Sequence, residues 1–373
     1  MFTGFVSNVP LGTGTNFILD WGEQKRIRAR AYLRVEAAGE FDWRIYYINS
    51  VNSTYDHGAL AYRNRSGGKF EIISARVADG GEIGAVDPEP SAGLRDAVTI
   101  TFDGSRSHTA QPDERLWSDA VRLNIPEGHY LAFEWELEGN LIPCTTDSRA
   151  LTFIDDGAGM RTEDYLPCPL PAMFACRRPY IKRVAFLGDS ITQGCGTLKN
   201  KYEMWAARIA GMLDGYAVWN LGMGWGRAAD AATDQSWLFK AKQNDVVILT
   251  LGVNDLLHGA YGSDHGSSAG EIVERIETMV TLLQRSGVDV ILSTLPPFDF
   301  TPEQRREWRA VNLALPRIAA LHGCRVYDLA SALEAGGVLE CKPKYGAHPD
   351  GAGGAAAAEQ FYRTFNFGGS WTI

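Results

Sequence analysis

The chain has 373 residues, of which 45% are hydrophobic and 22% charged, and its 36 Lys and Arg against 45 Asp and Glu give a formal net charge of −9. This composition is typical of globular proteins and leaves room for two domains of about 100–200 residues each. An acidic chain lacks the basic surplus of proteins that bind phosphate backbone, which excludes nucleic acid as the main partner. The sequence has no apolar stretch of about 18 residues and no signal-peptide pattern, so it predicts no membrane span. We expect a soluble, cytoplasmic protein, or a secreted one if a signal peptide has been removed; the sequence predicts no oligomeric state.

The cysteines and histidines show no pattern typical of a metal site. Six cysteines without a C-x-x-C pair and seven histidines without H-E-x-x-H spacing predict neither a catalytic metal nor a cofactor. Cys168 and Cys176 flank a proline-rich segment and could form a disulfide in an oxidising compartment. Cys195 is expected to be a packed thiol because no neighbouring feature activates it.

The first part of the chain has the period-two pattern of β-strands. Residues 25 to about 155 contain short alternating runs separated by turn residues, which predicts an antiparallel β-sandwich, jelly-roll-like, over residues 1–160. The runs are RIRARAYLRVEA, FDWRIYYI, KFEIISARV, AVTITFDG, AVRLNI and YLAFEWELEG. We expect the basic residues of the first run to form a solvated sheet face rather than a nucleic-acid patch; they are Lys25, Arg26, Arg28, Arg30 and Arg34. Core packing is favoured over a sugar-stacking platform for four tryptophans: Trp21, Trp43, Trp117 and Trp135.

A proline-rich segment, residues 161–182, is predicted to be an irregular joint between two domains. After it, residues 183–373 alternate compact apolar runs with helical patterns, which indicates an α/β domain whose parallel sheet is covered on both faces. One helix is predicted at 271–286. Another begins with the capping box at Thr301 and ends near Gly323, with His322 as a cation at the negative end of the helix dipole.

Polar residues follow the predicted strands where each strand ends. They are Gly188–Gly194 after the first strand, Asn220–Gly224 after the second, Gly252–Asp255 after the third, and His348 before the last helix. Ligands bind at the carboxyl ends of parallel strands, so one cleft would gather these residues. A serine, glycine-flanked amides, a carboxamide and a histidine are the groups that acyl transfer needs.

The four blocks GDSITQG, NLGMG, GVND and HPDGAG resemble those of the SGNH/GDSL hydrolase family over about residues 183–365. This resemblance implies a flavodoxin-like three-layer domain in which Ser190 is the nucleophile and His348 its general base. It also implies that the oxyanion is held by the backbone N–H of Ser190, by a second-loop N–H and by the carboxamide of Asn254.

Two positions depart from the pattern of that family. Its second-loop glycine corresponds here to Trp225; we expect Gly224 to supply the N–H, and Asp189 and Trp225 to contact the substrate. The acid that usually lies three residues before the histidine corresponds to Tyr345, whose neutral phenol does not replace a carboxylate. We therefore favour a Ser-His dyad with the imidazole oriented by a backbone carbonyl. The carboxylates that remain as alternatives are Glu340, Asp328 and Asp350, the last expected mainly as a helix cap.

These observations predict a serine esterase that removes small acyl groups, acetyl above all, from carbohydrate hydroxyls through an acyl-enzyme and without a cofactor. The ester-hydrolase part rests on the residues, whereas the acetyl and carbohydrate parts are implied by the resemblance and by a similarity in arrangement to two-domain carbohydrate esterases of that family. One alternative is a lipase or acyl-thioesterase, which the polar loop at 259–270 disfavours because a long acyl chain would need an apolar lid. Another is a carbohydrate-binding protein with a disabled hydrolase domain, for which Tyr345 is the main argument.

Overall fold

The computed structural model describes residues 4–52, 55–56, 59–60, 65–85, 93–257, 266–336 and 340–365. The strands of the first domain are β1 (Val6–Ser7), β2 (Phe17–Arg34), β3 (Gly39–Ile48), β4 (Tyr55–Asp56), β5 (Ala59–Leu60), β6 (Phe70–Glu82), β7 (Val98–Ile100), β8 (His108–Ala110), β9 (Arg115–Trp117), β10 (Val121–Ile125), β11 (His129–Cys144), β12 (Leu151–Asp155) and β13 (Met173–Cys176).

Eleven of these strands form two antiparallel sheets packed face to face, and β4 and β5 pair with each other in a separate two-stranded sheet. One sheet has the order β1-β13-β3-β10, with β9 also paired to β3, and the other has the order β12-β2-β11-β6-β7, with β8 paired to β6. Alternate residues of the long strands face the other sheet, among them Ile27, Leu33, Phe133 and Trp135. The period-two pattern of the sequence follows from this burial on one face, and the predicted antiparallel sandwich is confirmed.

The basic run on β2 is a sheet face balanced by carboxylates on its neighbouring strands. Arg26 pairs with Glu136 at 2.7 Å, and the Arg30 guanidinium donates to Glu134 at 2.8 Å from a buried position. The four tryptophans pack as predicted: Trp43 and Trp135 are buried, while Trp21 and Trp117 are partly buried against apolar clusters.

The proline-rich segment contains regular structure that the sequence did not predict. Residues Met173–Cys176 pair with both β1 and β3, so the prediction of an irregular joint is wrong there. The prolines of this segment lie outside the strand, and each of its residues therefore keeps a backbone N–H for the sheet. Cys168 and Cys176 are free thiols.

The second domain contains β14 (Arg183–Gly188), α1 (Ser190–Gln193), α2 (Trp205–Met212), β15 (Ala217–Asn220), α3 (Ala228–Ala231), α4 (Ser236–Ala241), β16 (Val246–Thr250), α5 (Val253–Leu257), α6 (Ala269–Gln284), β17 (Asp289–Ser293), α7 (Pro302–His322), β18 (Arg325–Tyr327), α8 (Leu329–Leu333), β19 (Glu334–Ala335), β20 (Lys342–Pro343) and α9 (Gly351–Phe365). Strands β19 and β20 pair with each other.

The central sheet is parallel and has the strand order β15-β14-β16-β17-β18, which is the flavodoxin-like order 2-1-3-4-5. Successive residues of β14 face opposite sides of the sheet. Ala185 and Leu187 pack in a cluster with α3, α4, α6 and α7, and Val184 and Phe186 pack in another with α2, α8 and α9. The predicted three-layer α/β domain is therefore confirmed. Among the described residues, no helix is long and apolar enough to cross a membrane.

The predicted helix ends are close to the observed ones. Helix α6 begins two residues earlier than predicted, after the N-cap Ser268, and α7 has the predicted capping box at Thr301. Helix α7 ends at His322 and is capped by Gly323, which has φ 67°. The imidazole Nε2 of His322 lies 2.9 Å from a carboxylate oxygen of Glu277.

The two domains share a continuous interface. Apolar residues of the sandwich, including Phe5 and Tyr46, belong to the same buried cluster as Trp219 of the central sheet. The indole of Trp219 donates to the carbonyl of Ala172 at 2.9 Å, and the Gln193 carboxamide donates to the carbonyl of Thr146 at 2.8 Å. The sandwich is thereby held directly beside the segment that follows β14.

Candidate active site

Ser190 lies at the first turn after β14, where the chain changes from strand to helix. The Asp189 carboxylate accepts a hydrogen bond from the Ile191 N–H at 2.9 Å and caps α1. A side chain at Gly188 would collide with Thr192, so the tight turn depends on that glycine. Ser190 is 9% exposed, and it lines a cavity of about 210 Å³.

His348 lies between β20 and α9, and its Nε2 is 2.8 Å from Ser190 Oγ. The ring of Phe298 stands edge-on to the imidazole with its centroid 5.3 Å away. Burial lowers the pKa of His348 below its ordinary value, and the negative charge of Asp299 opposes part of this shift. A neutral imidazole in this position can accept the serine proton, which is the requirement for a general base.

The three carboxylates that the sequence offered as the acid of His348 have other partners in the structure. Asp328 accepts from Thr294 Oγ1 at 3.0 Å, Glu340 pairs with Lys342 at 3.3 Å, and Asp350 caps α9. The side chain of Tyr345 packs against the apolar cluster beneath α9. It therefore faces that helix rather than the cavity.

Within the described residues, His348 has no second hydrogen-bond partner on its ring, so the backbone carbonyl expected to orient it is not seen there. Asp299 is the carboxylate whose charge acts on the ring, and the sequence analysis missed it. The rule that ligands meet the carboxyl ends of strands could have found it, because Asp299 lies in the segment that follows β17.

Asn254 lies in the first turn of α5, is 8% exposed and lines the cavity. Its Nδ2 donates to the carbonyl of Gly226 at 3.0 Å. A carboxamide nitrogen carries two hydrogens, so one remains for a ligand in the cavity. Gly224 and Trp225 line the same cavity, and Trp225 has φ 64°, a left-handed conformation that favours glycine.

Asp255 joins two loops of the site, although the sequence analysis gave it no role. Its buried carboxylate accepts hydrogen bonds from the N–H groups of Ala228 and Ala229 at 2.7 and 3.1 Å. It also pairs with Arg275 at 3.1 Å. These contacts fix the segment after β15, which contains Trp225, against the segment after β16, which contains Asn254.

Asp189 and Cys195 have different surroundings. Asp189 is 1% exposed and does not line the cavity, so the prediction that it contacts substrate does not fit its position beneath the serine turn. Burial and the charge of Asp255 raise the pKa of Asp189 to about 7. Cys195 lines the cavity, but burial raises the pKa of its thiol to about 12, which disfavours the reactive thiolate.

Both domains line the cavity. The first contributes Thr146, Asp147 and Tyr165, and the second contributes apolar side chains that include Leu257 and Phe298. Sequence analysis missed these residues because they belong to no motif. Residues 258–265, most of the polar loop used above against a lipase, lie outside the described part of the chain. The described residues include no cluster of three or more side chains able to hold a metal ion.

Several solved structures are similar to about half of this chain. The chain is similar to a mutant of Axe2, an acetyl-xylooligosaccharide esterase from Geobacillus stearothermophilus, with 21% identity, coverage of 52% of this chain and 98% of that one, and a TM-score of 0.42. It is similar to the acetyl xylan esterase AlAXEase, with 24% identity, coverage of 49% and 98%, and a TM-score of 0.39. A member of the lipolytic G-D-S-L family from Veillonella parvula is 17% identical, with coverage of 49% and 97% and a TM-score of 0.39.

No curated protein matches this sequence. The family model described as GDSL-like lipase/acylhydrolase matches residues 186–356, the part of the chain that holds Ser190, Asn254 and His348. The match to this family therefore covers 171 of the 373 residues and lies within the second domain.

Proposed function

We propose that this protein is a serine esterase that removes small acyl groups, acetyl above all, from carbohydrate hydroxyls. The observation that carries the proposal is the 2.8 Å contact between Ser190 Oγ and His348 Nε2 beside the Asn254 carboxamide in one cavity. A serine hydroxyl becomes an effective nucleophile when a hydrogen-bonded base removes its proton.

In the proposed mechanism, Ser190 Oγ attacks the ester carbonyl while its proton passes to His348 Nε2. The second hydrogen of Asn254 Nδ2 and the backbone N–H groups of Ser190 and Gly224 stabilise the oxyanion. The imidazolium then gives its proton to the departing alcohol, which leaves an acyl group on Ser190. Water, deprotonated by His348, attacks this acyl-enzyme and releases the acid, which restores the hydroxyl on Ser190.

The dimensions of the cavity favour a short acyl group. A volume of about 210 Å³ is bounded by the bulky side chains of Trp225, Leu257 and Phe298 as well as by residues of the sandwich. Such a site accepts an acetyl group with part of its alcohol more readily than a long chain, because added methylenes would meet these side chains.

Labelling and substrate screening test the proposal. An organophosphonate should add once to the protein, on Ser190, as detected by mass spectrometry, and Ser190→Ala and His348→Ala should each reduce acetyl ester hydrolysis to near background without loss of fold. Cys195→Ala is the matched control, because it removes another nucleophile of the same cavity and should keep both labelling and activity. Labelling elsewhere, activity in Ser190→Ala, or a preference for octanoyl over acetyl esters would contradict the proposal.

A further inference from the structure

Tyr165 is an aromatic side chain of the first domain at the edge of the cavity that holds Ser190 and His348. It is 63% exposed, whereas most large apolar side chains of this protein are buried. The guanidinium carbon of Arg149 lies 5.5 Å from the centroid of the Tyr165 ring. One side of the ring therefore has a cation over it, and the exposure of the residue leaves ring surface open for a ligand.

The backbone at Tyr165 is held in a conformation that a bulky residue rarely adopts. Its φ is 61°, and such outliers persist where surrounding contacts enforce them. Here the contacts come from the hydrolase domain: Lys199 Nζ donates to Thr162 Oγ1 and to the carbonyl of Glu163, both at 2.9 Å. The ring is thus attached to the catalytic domain although it belongs to a segment that follows β12.

The neighbouring segment of the sandwich is fixed to the same domain. Arg149 donates to the carbonyl of Thr197 at 2.8 Å, and its side chain also forms a buried ion pair with Asp147. Asp147 and Arg149 both have positive φ, 60° and 55°. The two segments together form a wall of the cavity whose position is set by hydrogen bonds across the domain interface.

We propose that this wall, with Tyr165 as its stacking surface, binds the sugar ring of the alcohol part of the substrate. This inference rests on the proposed function and identifies where that function obtains its selectivity. A pyranose has an apolar C–H face that packs on an aromatic ring and a rim of hydroxyls that needs polar neighbours. The wall combines an open aromatic ring with Thr146 and Asp147, whereas an acyl chain would be matched by a row of aliphatic side chains.

The test compares substrates that share the acetyl group and differ in the alcohol. Acetylated xylo-oligosaccharides supply a sugar to Tyr165, while methyl acetate has a leaving group too small to reach it. In Tyr165→Ala, the ratio of kcat/KM for the sugar ester to that for methyl acetate should fall about tenfold, mainly through KM for the sugar ester. Tyr165→Phe keeps the ring and should restore the ratio. Tyr180→Ala removes a tyrosine that is 39% exposed elsewhere on the surface, and it should leave both rates as in the wild type.

The outcomes separate the inference from the proposed function. Hydrolysis of neither ester by the wild-type protein would refute the proposed function. Hydrolysis of both with an unchanged ratio in folded Tyr165→Ala would refute the sugar-binding wall and leave the esterase intact. An equal loss on both substrates, or a loss that Tyr165→Phe does not restore, would also refute it, because it would indicate a structural rather than a stacking role.

Discussion

Replacing Trp225 by glycine is expected to widen the range of acyl groups that the protein hydrolyses. Trp225 lines the cavity beside Gly224 and Asn254, and removing its side chain makes room for further methylenes of the acyl chain. Each buried methylene stabilises by about 0.8 kcal/mol, so the two additional methylenes of a butyryl group amount to about 1.6 kcal/mol. The butyryl-to-acetyl ratio of kcat/KM should therefore rise about 15-fold over that of the wild type.

The conformation of this residue adds a stability test. Because φ is 64°, alanine at this position retains the left-handed strain, whereas glycine adopts it without cost. Trp225→Ala should show the same widened acyl range but a free energy of unfolding about 1 kcal/mol below that of Trp225→Gly.

Initial rates on acetyl, propionyl, butyryl and hexanoyl esters, together with thermal unfolding of both variants, measure these effects. Trp21→Ala removes a partly buried indole that does not line the cavity, and its acyl profile should match the wild type. An unchanged profile in folded Trp225→Gly would refute the assignment of Trp225 to the acyl side of the cavity.

Four further predictions concern the site. Asn254→Ala should lower kcat about 10²–10³-fold with little change in KM, as loss of one oxyanion donor does; a loss mainly in KM would instead make Asn254 a substrate-binding residue. The kcat/KM of the wild type should rise with pH at a midpoint below 6.5, because burial lowers the pKa of His348. Asp299→Asn should move that midpoint to lower pH and reduce kcat less than about tenfold, far from the ~10⁴-fold of a triad acid; Asp328→Asn is the control and should not move it. The raised pKa of Asp189 favours its protonated form in the folded state, so the stability that this proton contributes is lost as pH rises through about 7. Asp189→Asn should therefore raise the Tm relative to the wild type more at pH 8 than at pH 5. The opposite order in thermal melts would contradict this prediction.

The sequence by itself determined the architecture of both domains and the segments that line the cavity. Alternation with period two predicted the sandwich because each long strand buries one face. Continuous apolar runs predicted the parallel sheet because helices cover both of its faces. Ser190, Asn254 and His348 were found without coordinates because parallel strands end at the same edge of the sheet. In the structure these three residues line one cavity.

The tertiary structure alone decided what surrounds these residues. Tyr345 occupies the expected position of the acid in the chain, but its side chain packs under α9, and the charge that acts on His348 comes from Asp299 on another loop. The wall that contains Tyr165 belongs to the first domain, and hydrogen bonds such as that from Lys199 to the carbonyl of Glu163 hold it against the second. Local periodicity reports which face of an element is buried. It carries no information about which distant segments meet, because that depends on how two complete domains pack against each other.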